Sequence, residues 1–82
     1  MVLYMDIHDL PGVTSAAAAE AHMRDLQTQA KYGVEYRQYW VDEREGKVFC
    51  LVSAPDVDTA NAVHREAHGL VADEIFEVQE GS

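Results

Sequence analysis

Eighty-two residues make one small domain, 1–82, with no room for a second core, and so small a core invites a dimer partner or a bound ligand. Six basic against fifteen acidic residues give a net charge of −9, which repels phosphate backbones, sets nucleic acid aside and favours cations. A single cysteine, Cys50, excludes an internal disulfide and a thiolate metal cage. With no signal peptide and no segment long enough to span a bilayer, the expectation is a cytoplasmic protein without a membrane partner.

Residues 2–8 are apolar on both parities (Leu3, Met5 and Ile7 against Val2 and Tyr4), the pattern of a central strand covered on both faces. Asp9-Leu10-Pro11-Gly12 signals a turn. A helix follows, capped by Thr14 or Ser15, and a stripe of Ala16, Ala19, Met23, Leu26 and Ala30 carries it to about Lys31. Gly33 suits a left-handed stop. Residues 34–42 read as a strand, 43–46 as a hairpin loop, and 47–53 as a second central strand. Asp56 or Asp58 caps a second helix whose inner stripe is Ala60, Val63 and Ala67, with Gly69 as its stop. Residues 73–78 form a last strand.

The order β-α-β-β-α-β is the split βαβ arrangement: a ferredoxin-like α+β fold, with two helices on one face of an antiparallel sheet. Both helices cover the same face, yet the central strands are apolar on both. Tyr36, Trp40, Phe49 and Leu51 are candidates for sealing the uncovered face, and a second copy of the chain packed sheet to sheet is the simplest cover. A homodimer is expected.

His64 and His68 stand four residues apart, on one helix face near its end. Two neutral imidazoles so placed can grip one divalent transition metal. His8 at the end of the first strand, and His22 midway along the first helix, are brought toward the same end of the sheet. The candidate ligands are therefore His8, His22, His64 and His68, in one site or two adjoining ones. Imidazole with carboxylate or water suits Ni²⁺, Cu²⁺, Zn²⁺ or Co²⁺. Between the paired histidines stand Arg65, Glu66 and Ala67, so the His-Glu-x-x-His pattern of zinc proteases is not met. Set against this, a histidine near a helix C-terminus is favoured by the helix dipole alone. Cys50, alternating into a buried strand, reads as a small hydrophobe.

Several motifs are shared with a known family. Tyr4-Met5-Asp6, His8-Asp9-Leu10-Pro11-Gly12-Val13-Thr14, Tyr39-Trp40-Val41-Asp42, Val48-Phe49-Cys50-Leu51, Ala54-Pro55-Asp56 and His64-Arg65-Glu66-Ala67-His68-Gly69-Leu70 resemble, across nearly the whole chain, small ferredoxin-like nickel-binding proteins. That resemblance implies a homodimer with Ni²⁺ at its surface and a role in nickel sequestration or detoxification, not catalysis. It carries over the His64–His68 motif; His8 and His22 are assigned on their chemistry. Surface histidines, with waters and Asp9 in the remaining octahedral positions, are the expected site. The rival reading is a cofactor-independent dimeric α+β-barrel enzyme, a small monooxygenase or isomerase, with an aromatic substrate between sheet and helices and His22 or His64 as general base. A third is an interaction module whose histidines are incidental.

Overall fold

The computed structural model describes residues 1–81. Strand β1 (Val2–Asp9) is followed by helix α1 (Ser15–Thr28), a 3₁₀ turn (Gln29–Tyr32), strands β2 (Glu35–Asp42) and β3 (Lys47–Ala54), helix α2 (Val57–Ala67) and strand β4 (Glu74–Glu77). The sheet order is β2-β3-β1-β4 with every neighbouring pair antiparallel, so the ferredoxin-like expectation holds. Among the described residues, no helix is long and apolar enough to cross a membrane.

Local chemistry accounts for the boundaries. Thr14 accepts from the Ala17 amide and Asp56 from the Thr59 amide, so each helix begins on a side-chain cap. At the end of α2, Gly69 takes a left-handed φ of 82°, and its amide and that of His68 both donate to the His64 carbonyl. This closing turn fixes where His64 and His68 point.

One expectation is corrected. The stripe Ala16, Ala19, Met23, Leu26 and Ala30 lies wholly on the exposed side of α1. The inward side is Ala18, Ala21, His22 and Asp25, with Ala18 and Asp25 buried. Both stripes have helical spacing, and the longer apolar side chains favoured the wrong one. On α2 the expected stripe holds, with Ala60 and Val63 fully buried.

Side chains alternate across the sheet. Toward the helices point Tyr4, Asp6 and His8 from β1 and Val48, Cys50, Val52 and Ala54 from β3, all buried. The opposite parity carries Leu3, Met5, Ile7, Phe49 and Leu51. Cross-strand register sets Met5 between Leu51 and Phe76, and Phe49 between Ile7 and Trp40. A bulge between Tyr36 and Gln38 breaks the β2 ladder. Because of it, Tyr36 and Tyr39, three residues apart, both face the helices.

Candidate metal centre

Alternation along β1 puts Asp6 and His8 on the helix-covered face, and register sets Cys50 directly opposite Asp6. Helix α2 lowers His64 onto these strands, and α1 supplies Asp25. Two of the four histidines are not surface residues: His64 is 1% and His8 3% exposed, while Asp6 is fully buried and Asp25 is 2% exposed. The surface location expected from sequence is therefore corrected for His8 and His64, whereas His22 and His68 are half-buried. Nor does Asp9 belong to the group, since it is exposed and paired with Lys47.

His64 is the centre of the cluster. Its Nδ1–H donates to Asp25 Oδ1 at 2.9 Å and its Nε2–H to Asp6 Oδ2 at 2.8 Å. His8 Nε2 lies 3.3 Å from His64 Nε2 and 3.1 Å from Asp6 Oδ1. The latter contact lacks hydrogen-bond alignment and leaves Asp6 Oδ1 without a partner; His8 Nδ1, on the other side of its ring, is also buried without one. The Tyr36 hydroxyl donates to the Ala60 carbonyl at 2.9 Å and stands 3.3 Å from Asp6 Oδ2, steadying that carboxylate. His68 Nε2 reaches within 3.0 Å of Asp25 Oδ1, again out of alignment, while its Nδ1 accepts from the Leu70 amide. His22 stacks on Tyr39 with ring centroids 4.7 Å apart.

Electrostatics follow from this packing. Burial opposes charge on His64, but hydrogen bonds with Asp25 and Asp6, reinforced by their charges, raise its pKa to about 9. The ring is an imidazolium between two carboxylates. Burial likewise opposes the Asp6 charge, yet His64 and His8 hold its pKa down at about 2. Asp25 is lowered in the same way, with His64 and His68 outweighing burial. His22 goes the other direction: burial lowers it against the pull of Asp25, so it is a neutral ring. Burial, and then the Asp6 charge, push the Cys50 thiol and the Tyr36 hydroxyl upward, so both are protonated.

The four expected histidines line one pocket, along with Asp25, Cys50 and apolar side chains such as Leu10, Val13 and Leu70. Its volume is about 70 Å³, well below the roughly 300–1,000 Å³ of small-molecule sites. An aromatic substrate between sheet and helices is not favoured. Two sets of donor atoms, each within 4.8 Å of one another, converge here: Asp6, His8, Cys50 and His64 in the first, and Asp25, His64 and His68 in the second. The 2.8–3.3 Å separations among Asp6, His8 and His64 are those of a hydrogen-bonded cluster, and imidazole with carboxylate is a donor set that a borderline divalent ion accepts.

Sequence reasoning missed Asp6, Asp25 and Cys50 as members of this cluster, and it set Tyr36 on the open face, whereas the bulge turns Tyr36 under α2 against Ala60 and His64. The available signal was Asp6-x-His8 on a strand, where alternation puts both on one face.

Fold and site together define a ferredoxin-like α+β protein with a buried histidine–carboxylate cluster of metal-ligand type. The chain belongs to the family described as nickel responsive protein SCO4226-like, whose model matches residues 4–78. It is similar to the crystal structure of SCO4226 from Streptomyces coelicolor A3(2), at 34% sequence identity and a TM-score of 0.90, over 98% of this chain and 99% of that one. No curated protein sequence matches it.

Proposed function

We propose that this chain binds Ni²⁺ as cargo, as a cytoplasmic sequestering or detoxifying homodimer and not as an enzyme. One observation carries the reading. Donor atoms of Asp6, His8 and His64 converge within 4.8 Å of one another in a buried cluster; membership of a nickel-responsive family supports the reading. Asp6, His8 and His64 hold the ion. Asp25 receives the remaining His64 N–H, the arrangement that orients metal-bound imidazoles. His22 and His68 line the pocket by which the ion arrives and leaves. The second donor set, Asp25 with His64 and His68, gives His68 a share in transient binding.

A protein whose ligands lie inside, beside a pocket of about 70 Å³, suits storage better than turnover. The homodimer rests on the apolar parity of the open sheet face, where Trp40 and Phe76 are 46% and 50% exposed. Equilibrium dialysis of the metal-free chain against Ni²⁺ tests the reading, with His8→Ala/His64→Ala beside it. Uptake by the parent and loss in the double variant are expected. Equal uptake by both rejects the ligand assignment.

A further inference from the structure

The carboxylate and imidazoles of the inner cluster leave one neighbour out of account. Cys50 is the cross-strand partner of Asp6, faces the same buried layer, and has its Sγ within 4.8 Å of donor atoms from Asp6, His8 and His64. We infer that Cys50 is a fourth ligand, making the inner site a closed two-nitrogen, one-oxygen, one-sulfur set for a borderline or soft divalent ion. The inference deepens the nickel-binding reading and rests on it.

Three observations converge. All four side chains are buried, with Cys50 5% exposed, so an ion held there meets no bulk water on the sulfur side. Asp6 Oδ1 is fully buried and lacks an aligned hydrogen bond, with the His8 ring at 3.1 Å and the Cys50 thiol beside its carboxylate; an ion seated between that oxygen and the thiol would satisfy it. The four residues also come from three elements already fixed by register and by the closing turn of α2, so little has to move. A buried cysteine without a partner is ordinarily inert. Here it stands opposite a carboxylate and beside two imidazoles, which a plain apolar core position does not.

Ligation replaces the Cys50 S–H and His64 Nε2–H bonds with bonds to the metal, and both protons pass to solvent by way of the pocket. No electron changes hands. A divalent ion deprotonates a coordinating thiol outright, even one that burial keeps protonated beforehand. Thiolate selects against hard ions such as Mg²⁺, Ca²⁺ and Mn²⁺ in favour of Ni²⁺, Cu²⁺, Zn²⁺ or Co²⁺. Four protein donors also leave little room for the water or substrate that a catalytic metal keeps.

The experiment is a titration of the reduced, metal-free chain with Ni²⁺ and, separately, Co²⁺. Ion uptake is read by dialysis and the near-ultraviolet spectrum is recorded on the same samples. Wild type should take up the ion and develop an intense sulfur-to-metal charge-transfer band. Cys50→Ala, checked for folding by circular dichroism, should lose the band. Its affinity should fall at least about 100-fold, the upper range for removing an outer-shell partner. Uptake by wild type with no such band overturns sulfur ligation while leaving the nickel reading intact, and needs no variant. Equal affinity in Cys50→Ala overturns it as well. No uptake by wild type overturns both.

Discussion

The two faces of the sheet differ: the covered face sets a charged cluster within its apolar core, and the open face carries apolar side chains without cover. On the face covered by helices lie Asp6, His8 and, pressed down from above, Asp25 and His64, all nearly free of solvent. The open face displays Leu3, Met5, Ile7, Phe49 and Leu51 with Trp40 and Phe76. Interior charges persist because each has a partner: an imidazolium between two carboxylates meets most of the cost of desolvation through short hydrogen bonds. Outward apolar side chains have no such internal remedy, and the proposed dimer would supply one. One face thus gathers the charged groups of the chain's interior, and the other carries exposed apolar side chains.

Removing the imidazolium is the harshest way to break this contrast. His64→Leu leaves Asp6 and Asp25 buried without their cation, a loss of about 3–5 kcal/mol. The melting temperature should fall on the order of 20 °C, and nickel uptake should vanish. A melting point within a few degrees of wild type would show that the cluster contributes little to folding.

Titration probes the same pair without mutation. The raised His64 pKa gives stability that is complete below about 6.5 and lost as pH climbs through about 9. This loss amounts to about 3 kcal/mol. The depressed Asp6 pKa gives stability that is present above 3.8 and lost as pH falls through about 2. The metal-free protein should therefore be most resistant to urea between roughly pH 4 and 6.5. A denaturation midpoint that keeps rising from pH 6.5 to 9 contradicts the arrangement.

On the open face, Leu51→Lys sets a charge at the centre of the apolar patch. Self-association should weaken by at least about 2 kcal/mol, some 30-fold, while nickel uptake per chain stays unchanged. Light scattering that still reports a dimer at micromolar concentration would place the contact elsewhere.

The mildest test is Tyr36→Phe, which deletes the hydroxyl that steadies Asp6 and satisfies the Ala60 carbonyl. Stability should drop by about 1–2 kcal/mol, with nickel affinity lower by about tenfold. Unchanged values in both measurements would reduce Tyr36 to core filling.

The sequence made the architecture legible because its punctuation is strong: Pro11-Gly12, Gly33, the loop 43–46 and Gly69 divide the chain where the elements end. The four histidines also come together in one pocket, as their positions in the topology suggested. Their depth was not legible. Helical spacing makes His64 and His68 neighbours, but burial depends on which carboxylates await them, and Asp25 lies thirty-nine residues away. A charged residue in a helix defaults to solvent until its partner is known. The inner stripe of α1 lies one position from the expected one for the same reason: it contains Asp25, whose partner is on α2. Cys50 was assigned correctly to the interior, yet its neighbours, which give it chemistry, appear only in the register of β1 with β3.

The bulge in β2 has a consequence for how this chain tolerates length change. Arg37 is the surplus residue, so a chain lacking it would regain an even ladder while Tyr36, Tyr39 and Trp40 kept their present orientations. Losing one residue from the middle of β1 or β3 would instead reverse the facing of everything beyond it, turning ligands outward and grease inward. Natural deletions should accordingly concentrate at this single position in the sheet.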